Sequence, residues 1–271
     1  MSGLIDTLAS AFELYWWMIP VGVAVGVLGT LIGAGGGFLL APILLLLYPH
    51  DSPETITGIT LSVAMVNAAV GSISYARQKR IDYRAGIVFA IASIPGAVAG
   101  ALVTASLPRR TFDLLFGVAM IALGVALVIR TRHGTVGAPP ATDAPRDRKW
   151  WIKGVAISAV VGFVAAVLGV GGGIVHVPAL TYLLQFPVHL ATATSHFVLG
   201  ITAGSAVLTH ILSDAFQAGV RRAAMLCLGA AIGAPIGARL SRRLKDTWIV
   251  RGLAIALLLV GLRLMLLSTG R

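Results

Sequence analysis

Residues 14–49 carry no ionisable side chain other than Tyr15 and Tyr48. As one straight helix this run would be ~54 Å long, while the hydrocarbon core of a bilayer is about 30 Å thick. It is too long for one comfortable span and too short for two spans with a turn. Near its middle stands Gly33-Ala34-Gly35-Gly36-Gly37, where a helix is weakest. The pattern predicts a longer helix, a glycine break, and a shorter helix from about Phe38 to Leu47.

The design returns in residues 154–188, which hold no Lys, Arg, Asp or Glu and are interrupted at Gly169-Val170-Gly171-Gly172-Gly173. A shift of 136 positions aligns Gly26 with Gly162, Gly33 with Gly169, Gly35–Gly37 with Gly171–Gly173, and Pro42 with Pro178. This is an internal duplication. Three simpler spans follow each broken segment: 56–76, 85–107 and 111–129, then 190–213, 221–239 and 248–267. Ile94-Pro95-Gly96 with Gly100 resembles Ile232-Gly233-Ala234-Pro235 with Gly237, which suggests matched kinks.

The fold expected is an all-α polytopic membrane protein of two four-segment repeats. Residues 1–130 form an N-terminal repeat, 131–153 a cytoplasmic linker, and 154–271 a C-terminal repeat. Each broken segment either crosses the membrane once or dips in and returns as a re-entrant hairpin. Lys and Arg counts barely separate the two models. We favour hairpins, which make the halves inverted repeats and place the basic loop Arg239–Arg251 with the cytoplasmic linker.

Composition supports the membrane reading. Of 271 residues, 57% are hydrophobic and 11% charged, against about 25% charged in soluble domains. Trp16, Trp17, Trp150 and Trp151 read as interface belts. The net charge of +11 reports orientation and raises the local concentration of anions. No aromatic-basic platform for nucleic acid accompanies it. Cys227 stands alone, so neither a disulfide nor a Cys-based metal site is expected.

Chemistry can sit in few places. A half-helix beginning after Gly37 or Gly173 aims unpaired N–H groups and a positive dipole end at mid-membrane, a ready anion site. Gly35, Gly36, Gly37, Gly171, Gly172 and Gly173 are therefore candidate substrate contacts. Polar residues inside apolar spans could complete an anion cage: Thr57, Thr60, Ser62 and Asn67 in one half, and Thr192, Thr194, Ser195 and His196 at the matching place in the other. His176, His196 and His210 are candidates for proton coupling or, alternatively, a metal set. Leu40 stands opposite His176 in the duplication, so any role of that histidine is one-sided. No Asp or Glu lies deep in a span, which weakens cation transport. No nucleotide-binding motif, Ser–His–Asp set or H-E-x-x-H appears, so neither ATP, a cofactor nor catalysis is expected.

The runs Gly33-Ala-Gly-Gly-Gly-Phe-Leu-Leu-Ala-Pro42 and Gly169-Val-Gly-Gly-Gly-Ile-Val-His-Val-Pro178, each heading a four-segment repeat, resemble the TauE/SafE family. Ala193-Thr194-Ser195 is similar to that family's Thr-Ser, whereas the first half departs with Thr60-Leu61-Ser62. The resemblance covers nearly the whole chain. It implies an inner-membrane permease for sulfite, organosulfonates or other small anions. The expectation is a secondary transporter that binds such an anion between the two glycine breaks, with Asn67, Thr60, Thr194 and Ser195 beside it and His176 and His196 as possible proton carriers. Substrate, direction, coupling ion and oligomeric state stay open.

Overall fold

A computed structural model describes residues 13–132, 146–212, 219–241 and, near the C-terminus, 258, 261–263, 265 and 266. The span expected at 248–267 and the loop carrying Arg242, Arg243, Lys245 and Arg251 fall largely outside these residues. The described chain is helical: α1 Met18–Ile32, α2 Gly37–Leu47, α3 Pro53–Arg77, α4 Tyr83–Ser106, α5 Arg109–Arg132, α6 Arg148–Leu168, α7 Gly173–Leu183, α8 Val188–Leu212 and α9 Val220–Leu240. Five of them, α3, α4, α6, α8 and α9, are long and apolar enough to cross a membrane. The helices α2 and α7, of 11 residues each, reach only ~16 Å, about half the apolar thickness.

Helix ends follow local chemistry. Ser52 caps α3 by accepting from the Thr55 N–H at 3.2 Å, with Pro53 in the first turn. Asp82 and Asp147 cap α4 and α6 through the N–H groups of Ala85 and Trp150. Each oxygen satisfies an N–H that a helix start leaves unpaired. The N-termini of α2 and α7 have no side-chain cap.

The two breaks share one backbone design. Gly33, Gly35 and Gly36 have φ of +78°, +77° and +81°, and Gly169, Gly171 and Gly172 have +65°, +81° and +68°. A Cβ is disfavoured there, so glycine recurs at these positions. The chain also turns back on itself. Gly36 lies against Gly29 and Val25 of α1, and Gly172 lies near Ala165 and Val161 of α6. A continuous helix would have carried residue 36 ~16 Å beyond residue 25.

The helices group across the sequence halves. α1 packs chiefly on α9 and α6 on α4, while α3 and α8 meet at the centre. α9 also lies on α3, and α4 on α8. One bundle thus draws α9 from the second half, and the other draws α4 from the first. Small residues bring the backbones close, the usual device in membranes. Gly96 and Gly100 lie against Ala159 and Phe163 of α6, just as Gly233 and Gly237 lie against Val23 and Val27 of α1. These glycines match at a shift of 137, but under it Pro235 corresponds to Val98 and Pro95 to Ile232. The glycines therefore sit at equivalent heights, and the expected pairing of proline kinks does not hold.

Polarity runs inside out. Ile87 and Ile91 of α4, and Leu228, Ile232 and Ile236 of α9, face outward, while Thr60, Asn67, Thr194, Ser195 and His196 are fully buried. Exposed apolar stripes of this extent suit lipid. One end carries an ion-pair clamp. Asp51, between α2 and α3, meets Arg222 of α9 at 2.6 Å. Arg109 of α5 donates to the carbonyls of Asp51 and Leu45 and pairs with Asp113 at 2.8 Å. The opposite end is closed by aromatic rings: Phe89, Trp150, Trp151 and Phe186 have neighbouring centroids 4.9–6.1 Å apart.

Candidate functional site

The two glycine breaks touch. A Cβ added to Gly37 would meet the Gly169 carbonyl oxygen at 2.9 Å and Val170 at 3.1 Å; one added to Gly173 would meet Ala34 Cα at 2.7 Å. Gly35 and Gly171 both face Ala64 of α3 and Leu199 of α8. The N-termini of the two half-helices are thus brought together at the centre of the molecule.

Their amides are used differently. At the first break the Gly29 carbonyl accepts from the N–H groups of Ala34, at 2.8 Å, and Gly35, at 3.1 Å. The N–H groups of Gly36, Gly37 and Phe38 have no partner among the described residues. At the second break the Ala165 carbonyl accepts from Val170 at 3.1 Å, and Gly173 donates to the Gly171 carbonyl at 2.8 Å. The N–H groups of Gly171, Gly172 and Ile174 have no partner there among the described residues.

A polar cavity opens beside the second break. Four helices of one bundle supply its walls: α4 gives Ser93, α6 gives Ser158, α7 gives His176, and α8 gives Ser195 and Thr202, around Gly171–Gly173. Its volume of about 10 Å³ admits roughly one water. The cavity is closed, and a solute larger than water fits only after the walls part. The His176 ring lies 3.2 Å from Ser158 Oγ and edge-on to Phe89, the innermost ring of the aromatic closure, at 6.3 Å between centroids.

The duplication shows why the cavity is one-sided. Where the cavity has Ser158 and His176 from the second half and Ser93 from the first, the repeat places Gly22, Leu40 and Ala230 at the matching positions of the other half. Gly22 and Gly26 let α9 close against α1 there. The first break faces a different group. Thr30 donates to Asn67 Oδ1 at 2.8 Å, Tyr75 donates to the Thr30 carbonyl at 2.7 Å, and His196 Nε2 lies 3.3 Å from the Asn67 carbonyl. Among the described residues, Asn67 Nδ2 is buried without a hydrogen bond.

The residues singled out in the sequence are therefore divided among several places. Gly171, Gly172, Gly173, Ser195 and His176 share the cavity. Gly36, Gly37, Asn67 and His196 lie at or beside the first break, and the Gly35 amide is spent on Gly29. The Thr60 hydroxyl donates to the Thr57 carbonyl at 3.1 Å, beside Gly169. The Thr194 hydroxyl accepts from the Asp82 N–H at 3.0 Å, at the start of α4. Thr57, Ser62 and Thr192 each donate to a carbonyl of their own helix. Ser93, Ser158 and Thr202 were not singled out in the sequence. A signal existed for two of them: Ser93 and Ser158 are polar exactly once in the duplication, each aligned with a small apolar residue or glycine in the other half.

The three membrane histidines do not converge. His176 meets Ser158, His196 meets Asn67, and His210 Nδ1 lies 3.7 Å from Glu54. Among the described residues no group of three or more His, Cys, Asp or Glu could hold a metal ion.

Comparison with known proteins agrees with this architecture. The model of the sulfite exporter TauE/SafE family matches residues 18–264. The chain is 29% identical over 263 residues to the probable membrane transporter protein YunE of Bacillus subtilis, covering 91% of this chain and 96% of that one. It is 30% identical over 203 residues to a probable membrane transporter protein of Methanocaldococcus jannaschii, covering 73% and 72%. To YjnA of Bacillus subtilis, also a probable membrane transporter protein, it is 26% identical over 257 residues, covering 91% and 98%. No solved structure matches. With glycine-broken half-helices at its centre, lipid-suited faces outside, and a family match across nearly its full length, the chain is a multi-pass membrane protein of the sulfite exporter TauE/SafE transporter family.

Proposed function

We propose that the protein is a secondary transporter of a small sulfur oxyanion or organosulfonate, and that the anion binds in the cavity beside the second glycine break. The observation that carries this reading is the meeting, in one buried cavity, of the uncapped start of α7 with the unpartnered Ser195 hydroxyl. Unpaired N–H groups and a free O–H in a dry setting suit an anion. The family description names sulfite; the relatives above are described only as probable membrane transporters. The plasma (cell inner) membrane is the proposed location. The re-entrant reading of the broken segments is supported by the chain reversal at both breaks.

Access from the two sides is closed by different chemistry, ions at one end and aromatic rings at the other. Alternating access then consists of one bundle moving against the other along α3 and α8, each bundle carrying helices from both sequence halves. Purified protein in sealed liposomes should exchange labelled sulfite faster than protein-free liposomes, with competition by organosulfonates. A folded preparation that passes neither class of anion refutes the proposal. Proton coupling, in this reading, runs through His176, which faces the cavity. In a His176→Gln variant, flux should persist down an anion gradient and lose its stimulation by a pH gradient; unchanged stimulation would move the coupling elsewhere.

A further inference from the structure

We propose that this cavity selects its anion by charge and by proton, taking a monoanion that still carries a hydrogen, such as hydrogensulfite, over the bare dianion. The inference rests on the functional reading above and deepens it.

The first observation concerns charge. None of the residues lining the cavity from α4, α6, α7 or α8 is Asp, Glu, Lys or Arg, and His176 is the titratable group among them. The buried arginine, Arg222, is held by Asp51 at the ion-pair end and does not line the cavity. With His176 neutral, the counter-charge available is partial: amide dipoles and one hydroxyl. The cost of moving an ion out of water grows with the square of its charge, so a second negative charge raises it about fourfold. Dipoles that balance one charge do not balance two.

The second observation concerns hydrogens. Ser195 Oγ is fully buried and has no partner among the described residues, so its hydrogen is unspent. With the N–H groups of Gly171 and Gly172 it forms a donor wall. The other hydroxyls lining the cavity have already given theirs away. Ser158 donates to the Gly154 carbonyl at 2.7 Å. Ser93 lies 2.7 Å from the Ala90 carbonyl, Thr202 lies 2.9 Å from that of Val198, and the two hydroxyl oxygens are 2.5 Å apart. Their two hydrogens are shared among these three contacts, and none remains for a ligand. With the Ser158 hydrogen committed, His176 Nε2 is the donor of its bond to Ser158 Oγ. These three hydroxyls thus offer the cavity oxygen lone pairs and no hydrogen. A fully deprotonated oxyanion meets repulsion from these lone pairs, whereas an anion with its own O–H donates to them and accepts from Ser195 and the amides.

The test is isothermal titration of the full-length purified protein with sulfite, sulfate and methanesulfonate at pH values on either side of the second ionisation of sulfite. Sulfite affinity should follow its monoanion fraction, falling toward tenfold per pH unit above that ionisation, while methanesulfonate affinity stays flat and sulfate binds weakly throughout. Thr202→Val should narrow the preference for hydrogensulfite over methanesulfonate. Sulfite binding that does not change with pH, or sulfate bound as well as sulfite, overturns the inference and leaves the transporter reading standing. A parallel rise for methanesulfonate on acidification also overturns it, by assigning the titration to His176. Failure of all three anions to bind refutes both the inference and the anion reading on which it rests.

Discussion

Gly173→Ala is expected to destabilise the protein, although alanine is the better helix former. Gly173 opens α7 and its φ is not positive. Local propensity alone would therefore favour the substitution by ~1 kcal/mol. Packing opposes it. The added methyl would meet Ala34 Cα at 2.7 Å and the Gly33 carbonyl. These are backbone atoms of the opposite break and cannot swing aside as a side chain end can. Overpacking of this kind costs about 1–3 kcal/mol or more. Since both breaks interlock, strain at one spreads to the other. The net expectation is a loss of about 2 kcal/mol, read as a lower unfolding temperature in detergent, together with loss of anion flux. Gly204→Ala is the control, because its Cβ would meet only the flexible Met65 side chain, at 3.5 Å or more. A Gly173→Ala protein as stable as the parent would show that the breaks do not hold each other in place.

The opposite signature is expected at Ser195. In the closed conformation its hydroxyl is buried and bonds to nothing. An unsatisfied buried polar group costs about 1–3 kcal/mol, so Ser195→Ala should leave stability unchanged or raise it. A hydrogen bond to a charged ligand contributes about 1.5–3 kcal/mol, so the same variant should bind its anion at least roughly tenfold more weakly. Ser62→Ala should change neither, since Ser62 donates to the Gly58 carbonyl of its own helix at 2.7 Å. Greater stability with weaker binding separates a ligand contact from a structural one. Equal affinity in Ser195→Ala would remove Ser195 from the site.

Much of the fold can be read along the chain. An apolar run too long to be one span, with glycines at its middle, announces a break, and the short helices start at Gly37 and Gly173, within a residue of expectation in the first half. The spans of the first half expected at 56–76, 85–107 and 111–129 are found at 53–77, 83–106 and 109–132. The site was less legible. Thr194 and Ser195 are neighbours in sequence, yet one binds the start of α4 and the other faces the cavity. Successive helical residues point about 100° apart, and the sequence does not say which direction holds a neighbour.

The amino-acid order alone settles what neighbours a few positions apart can settle. Left-handed backbone at Gly33, Gly35 and Gly36 needs glycine, the caps at Ser52, Asp82 and Asp147 reach three residues ahead, and apolar length calls for lipid. Tertiary structure decided which helices share a bundle and which hydroxyls share a cavity. Ser93 and Thr202 are 109 positions apart and 2.5 Å from each other. That proximity comes from the packing of α4 on α8, a fit between surfaces distant along the chain, which no local pattern encodes.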